Sequence, residues 1–79
     1  MKNRGQTNKI EKNFGVVIRR LRHKLGLSQE DFAEKADVHR TYVSDIELGK
    51  VNVGIAIAQK IATSLSLPLS KLIALAESE

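Results

Sequence analysis

The stretch VHRTYVSDIELGK combines one long cation with several short polar side chains. On a helical wheel at about 100° per residue, Thr41, Ser44 and Asp45 fall on the side opposite Val43, and Arg40 lies on the flank in the first turn. In the major groove of DNA, arginine can donate two hydrogen bonds to guanine, and threonine can contact the methyl group of thymine. The pattern therefore predicts a helix that reads base edges. A merely solvated helix face is the alternative.

Glu47 is charged but does not lie on this polar side. The wheel places it beside Val43 on the inner side of the helix. A lone carboxylate is costly to remove from water, so Glu47 needs a cation. In the preceding part of the chain, Arg22 follows Ile18 by one helical turn and borders an apolar stripe in the same way. We predict an Arg22–Glu47 ion pair that holds the two helices at a fixed angle.

Apolar residues at helical spacing, together with capping residues, predict five helices. Ser28 is the predicted N-cap of the second helix, Gly26 and Gly49 close the first and third, and Pro68 separates the fourth from the fifth. The predicted helices cover residues 13 or 14 to 25, 28 to 36, 39 to 48, 54 to 64 and 69 to 76. The apolar stripe of the first helix consists of Phe14, Ile18, Leu21 and Leu25.

The composition agrees with an all-α fold. The chain has 79 residues, of which 42% are hydrophobic but only 4% aromatic. Such a length suits one small domain, and an aliphatic core suits helices packed on helices. There is no cysteine, so disulfides and thiolate metal sites are excluded.

The positive charge is concentrated at the start of the chain. The formal net charge is +4, and residues 1–12 hold four cations against Glu11, or +3. This polar, aperiodic stretch predicts a flexible basic N-terminal arm over residues 1–12, followed by one domain over residues 13–79. The arm is either a solvated tail or a segment that reaches along DNA phosphates or into a minor groove.

The segment IRRLRHKLGLSQEDFAEKADVHRTYVSDIELGK resembles the helix-turn-helix proteins of the Cro and phage-repressor type. The features that carry the resemblance are Leu-Arg before Gly26, GLSQ at the start of an alanine-rich second helix, and Ile-Glu-x-Gly at the end of the third. The resemblance covers residues 14 to 73 and implies a lambda-repressor-like five-helix domain with its helix-turn-helix at residues 28–48. Within that type, HRTYVSDIE is similar to the controller proteins of restriction-modification systems, which are dimers that regulate their own operon.

The resemblance also implies roles for individual residues. Tyr42 would touch a phosphate or a base edge, although a partly buried ring with a wet hydroxyl is an equal alternative. Gln29 would contact a phosphate and brace a base-contacting side chain. The expected base-contacting residues are Arg40, Thr41, Ser44, Asp45 and Tyr42, and the expected phosphate-contacting residues are Ser28, Gln29, Lys50 and Asn52.

Three positions depart from the family's pattern. Asp37 replaces the usual turn glycine, which is tolerable because aspartate visits the left-handed region more readily than most residues. Val53 and Gly54 replace a common proline and a serine or threonine, which leaves the fourth helix without a strong cap. Asp45 would repel phosphate unless it accepts from a cytosine amino group or is neutralised by Arg40.

The expected partners are a double-stranded DNA operator and a second copy of the chain. The predicted dimer surface is the C-terminal helix, through Leu69, Leu72 and Ile73, although these residues would also complete a small core. His23 and His39 are isolated, so we expect no catalytic or metal site, no cofactor and no small-molecule ligand. No secretory signal or membrane segment is apparent, which predicts a cytoplasmic protein. The rival function is an antitoxin or another protein-interaction module of the same fold.

Overall fold

The structure is a computed structural model that describes residues 9–79. These residues form five α-helices, as the periodicity predicted. The helices are α1 (Lys9–Lys24), α2 (Gln29–Ala36), α3 (Arg40–Glu47), α4 (Ile55–Ser64) and α5 (Leu69–Ser78). None of the helices in this part of the chain is both long and apolar enough to cross a membrane.

The first helix begins at Lys9, four or five residues earlier than the predicted start at residue 13 or 14. Residues 9–12 are therefore helical, whereas the sequence predicted them as the end of a flexible arm over residues 1–12. The extra turn forms because Ile10 stands one turn before the buried Phe14, and Lys12 packs against the end of α3. The prediction for residues 1–8 lies outside the described residues.

The first four helices end in the same way. A residue with positive φ follows each helix, and the next residue donates its N–H back to a carbonyl in the last turn, as in a Schellman motif. At α3, for example, the Lys50 N–H donates to the Asp45 carbonyl at 2.9 Å. Asp37 takes the turn position after α2 with φ 59°, so this departure from glycine is accommodated. The positive-φ residues that follow these four helices are Gly26, Asp37, Gly49 and Ser66.

One hydrophobic core, mostly aliphatic but including two phenylalanines, joins all five helices. Helix α1 packs on α3 and α5, α2 packs on α3 and α4, and α4 packs on α5. Leu25 was predicted in this core but is 52% exposed, because α1 ends at Lys24 and Leu25 already belongs to the turn. The buried hydrophobic residues are Phe14, Val17, Ile18, Phe32, Ala33, Ala36, Val43, Ile46, Ala58, Ile61, Ala62, Leu72 and Ala76.

Candidate nucleic-acid interface

Helix α3 is fixed on its inner side and open on its outer side. Val43 and Ile46 are buried in the core. Its first turn is capped by His39, whose Nδ1 accepts a hydrogen bond from the Thr41 N–H at 3.2 Å. This cap satisfies one of the N–H groups that a helix start leaves without a partner. Helix α3 therefore keeps its position without using its outer side chains.

The outer side carries the predicted base-contacting residues. Arg40 and Thr41 are exposed, and Ser44 and Asp45 are partly exposed. Neither Arg40 nor Asp45 forms an ion pair with another of residues 9–79. Arg40 therefore does not neutralise Asp45 in this structure, and the Asp45 carboxylate is available as an acceptor. Tyr42 lies between the two sides, partly buried against the core.

The buried ion pair at the end of α3 is the one predicted from the sequence. Arg22 donates from Nε to Oε2 of Glu47 at 2.6 Å and from Nη2 to Oε1 at 3.0 Å. The side chains of the two residues are only 8% and 4% exposed. Arg22 also donates from Nη1 to the Leu27 carbonyl at 2.8 Å. One guanidinium thus connects α1, the turn before α2, and α3.

The guanidinium of Arg22 keeps its positive charge in the folded protein. Hydrogen bonding to Glu47 raises the pKa of Arg22 above its ordinary value, burial acts in the opposite direction, and the charge of Glu47 adds to the rise. Two parallel hydrogen bonds between guanidinium and carboxylate also fix their relative orientation. The pair therefore sets the angle between α1 and α3 as well as neutralising a buried carboxylate.

The start of α2 lies against the same ion pair. Gln29 donates from Nε2 to Oε1 of Glu47 at 3.0 Å. In the structure Gln29 therefore braces Glu47 and not a side chain of the base-facing side. Ser28 is the predicted N-cap, and its hydroxyl accepts a hydrogen bond from the Asp31 N–H at 3.0 Å. Since Gln29 binds the last residue of α3, the start of α2 and the end of α3 form one surface.

The loop after α3 continues this surface. Lys50 and Asn52 are exposed, as phosphate-contacting side chains must be. Gly54 is the N-cap of α4 and makes no side-chain capping hydrogen bond, which agrees with the weak cap predicted from the sequence. Gln29, which follows the N-cap Ser28, and Lys50 therefore lie at the end of α3 that is away from Arg40. Asn52 lies further along the loop, in a cleft that it shares with the first turn of α1.

Gly15 is the positioning residue that the sequence reasoning missed. A β-carbon on Gly15 would lie 2.2 Å from the Ile46 carbonyl oxygen and 3.0 Å from that of Glu47. Glycine therefore lets the backbone of α1 approach the end of α3 directly. The available signal was a glycine inside an otherwise strong helical pattern, which often marks close packing.

Leu72 was predicted at a dimer surface, and this assignment is wrong. Leu72 is 0% exposed and belongs to the core of the single chain, because its side of α5 faces the other helices. Leu69 and Ile73 pack against the edge of the core and are only partly buried. Of the three residues predicted for the dimer surface, these two keep area available for a second copy.

The fold and this interface define a helix-turn-helix protein, in which α2 and α3 form the motif and α1 supports it. The family model described as helix-turn-helix matches residues 18–72. The chain therefore belongs to the helix-turn-helix family of DNA-binding regulators, which confirms the resemblance seen in the sequence.

Within the family, the chain is similar to two control proteins and to a restriction-modification controller protein of known structure. It is 44% identical over 73 residues to the control protein C.MunI of Mycoplasma sp, covering 91% of this chain and 99% of that one. It is 44% identical over 62 residues to the control protein C.BamHI of Bacillus amyloliquefaciens, covering 77% and 76%. The crystal structure of the restriction-modification controller protein C.AhdI from Aeromonas hydrophila superposes with a TM-score of 0.75 at 37% identity, covering 78% and 94%.

Proposed function

We propose that the chain is a restriction-modification controller that binds a specific double-stranded DNA operator in the cytoplasm as a homodimer. The observation that carries the proposal is the contrast between the two sides of α3. Its inner side is buried and tied to α1 through Arg22 and Glu47, whereas Arg40 and Thr41 on its outer side are exposed. A rigid helix with a free polar side suits insertion into a major groove.

The proposed contacts divide into two groups. Base edges are read from α3, and the phosphate backbone is held from the start of α2 and the loop after α3, where hydrogen-bond donors and a lysine are exposed or partly exposed. Asp45 suits a cytosine amino group, the one base-edge donor that a carboxylate commonly accepts from. The base-contacting group is Arg40, Thr41, Tyr42, Ser44 and Asp45, and the phosphate-contacting group is Ser28, Gln29, Lys50 and Asn52.

A homodimer follows from the small size of one reading helix. A single α3 of eight residues offers few base contacts, so two copies related by a twofold axis are needed for a specific site. Their half-sites would be separated by about one helical turn of DNA, roughly 34 to 36 Å. Leu69 and Ile73 on α5 are the proposed contact between the copies.

Selection of bound duplexes from a random pool tests this function. The wild-type chain should enrich one twofold-symmetric sequence. Arg40→Ala should lose about 1 to 3 kcal/mol on that sequence and relax the preference at one base pair in each half-site. Lys71→Ala removes one exposed cation from α5 and is the matched control, which should enrich the wild-type sequence unchanged.

Two outcomes would contradict the proposal at different points. If Arg40→Ala combined with Thr41→Ala still enriches the wild-type sequence, the outer side of α3 is not the reading surface. If the wild-type chain enriches no sequence, DNA recognition itself is the wrong function, and a protein-interaction module of the same fold becomes the better explanation.

A further inference from the structure

The first turn of α1 lies against the end of α3. A β-carbon on Gly49 would lie 2.8 Å from Cγ and 3.2 Å from Cα of Lys12. One turn further along α1, a β-carbon on Gly15 would meet the carbonyl oxygens of Ile46 and Glu47. Helix α1 therefore crosses the C-terminal end of α3, and its first turn reaches the loop that begins at Lys50.

This crossing places lysines from two elements beside one another. Lys9 precedes Lys12 by three residues and so lies on the same side of α1. Lys9, Lys12 and Lys50 are all exposed. The acidic residue of the same turn, Glu11, is partly buried and lines a cleft of about 210 Å³ with Asn52 and Val53. The charge at this crossing is therefore positive, with three exposed lysines and only one carboxylate, which is partly buried.

None of these three lysines is neutralised by another of residues 9–79. The ion pairs in this part of the chain involve Arg20, Arg22 and Lys60 instead. Residues 1–8 have the sequence MKNRGQTN and contain no acidic side chain. A cluster of exposed cations continuous with a DNA-binding loop fits an extended polyanion, since each phosphate contact releases a counterion.

We propose that Lys9 and Lys12, together with Lys50, form a second phosphate-binding surface that holds the DNA backbone next to the half-site read by α3. The proposal rests on the proposed DNA-binding function and adds to it the first turn of α1, which lies outside the helix-turn-helix. This turn holds the duplex without reading its sequence, because lysines contact phosphates as point charges.

The salt dependence of DNA binding by the full chain tests this surface. The variant Lys9→Gln with Lys12→Gln removes two charges but keeps the side-chain stem of Lys12 over Gly49. The slope of log K against log salt should become shallower by about 0.9 for each phosphate that is no longer neutralised. Affinity should fall equally on the selected operator and on unrelated duplex, so the ratio of the two affinities should stay at the wild-type value.

A matched control is Lys35→Gln with Lys71→Gln, which removes two exposed charges from α2 and α5. The control should keep the wild-type slope. If the variant at positions 9 and 12 keeps the wild-type slope as well, or changes the ratio between operator and unrelated duplex, the second surface is refuted. The proposed function would stand in that case, because it depends on the loss of specificity in Arg40→Ala and not on the salt slope.

Discussion

At the scale of residues, the stability of the interface depends on one buried ion pair. Arg22 and Glu47 are almost completely removed from water, and each would be costly alone. The cost is offset because the carboxylate accepts three hydrogen bonds, two from Arg22 and one from Gln29. In the described part of the chain, no buried side-chain polar atom lacks a hydrogen-bond partner.

Replacing Arg22 with alanine should destabilise the fold by about 3 to 5 kcal/mol, because it leaves the Glu47 carboxylate buried without a cation. Urea unfolding monitored by far-UV circular dichroism measures the change. Arg20→Ala on the same helix is the matched control. Arg20 also pairs with a glutamate, Glu79, at 2.9 Å, but its side chain is 51% exposed. That change should cost within about 1 kcal/mol. Equal losses of stability in the two variants would show that burial does not decide the strength of the Arg22 pair.

The sequence was sufficient to predict this pair but not all of its partners. The wheel placed Glu47 on the inner side of α3, and the cost of a buried carboxylate then required a cation. The hydrogen bond from Gln29 could not be predicted in the same way. It depends on where the start of α2 lies relative to α3, and helical periodicity carries no information about the distance between two helices.

At the scale of elements, the contact between α1 and α3 depends on the missing side chain at Gly15. In an exposed helix, Gly→Ala usually stabilises by about 0.5 to 1 kcal/mol, because glycine loses more backbone entropy on folding. At this position the added β-carbon would lie 2.2 Å from a backbone oxygen that cannot move independently of α3. The sign of the effect should therefore reverse.

We expect Gly15→Ala to destabilise the protein by about 1 to 3 kcal/mol, the usual cost of forcing extra volume into packed structure. The midpoint of urea unfolding is the measurement. Val16→Ala, at the next and half-exposed position of the same helix, is the control and should be close to neutral. A Gly15→Ala protein that is more stable than the wild type would mean that α1 and α3 are further apart than described.

The sequence predicted one end of α1 correctly and the other incorrectly. Gly26 was predicted correctly as the residue that ends the helix, since its positive φ of 73° is a local requirement. The start was predicted at residue 13 or 14 because the stretch of residues 1–12 is mostly polar and shows no periodicity. The helical turn at residues 9–12 depends instead on Ile10 near Phe14 and on Lys12 against Gly49, and the second of these contacts joins distant parts of the chain.

At the scale of the whole molecule, the proposed dimer depends on how α5 divides its apolar residues. Burial of Leu72 in the single-chain core leaves Leu69 and Ile73 at the core edge. The spacing of these leucines and isoleucine could not decide between core and dimer surface, because all of them lie within a helix that is apolar on more than one side. Which of these residues is buried in the single chain depends on the packing of α5 against α1 and α4.

Leu69→Glu should convert the proposed dimer to a monomer, because a charge at the contact between two copies would be buried without a partner. Sedimentation equilibrium measures the mass, and circular dichroism checks that the helices are retained. Leu25→Glu introduces the same charge at an apolar residue that is 52% exposed in the turn after α1. This control should retain the wild-type mass. A folded Leu69→Glu protein with the mass of a dimer would place the contact elsewhere.

The distribution of charge along the chain gives the last prediction. Lys2 and Arg4 contribute two positive charges to a chain whose net charge is +4, and both precede the described residues. Deleting residues 2–8 should slow association with duplex DNA at low salt, because the attraction between the whole molecule and a polyanion becomes weaker. The difference in association rate should disappear as salt screens charges beyond about 10 Å at 0.1 M. On the prediction that residues 2–8 form a solvated tail, which makes no fixed phosphate contact, the equilibrium salt slope should stay at the wild-type value. Stopped-flow association and equilibrium titration over a range of salt concentrations measure the two quantities. A shallower equilibrium slope after the deletion would instead assign phosphate contacts to residues 2–8.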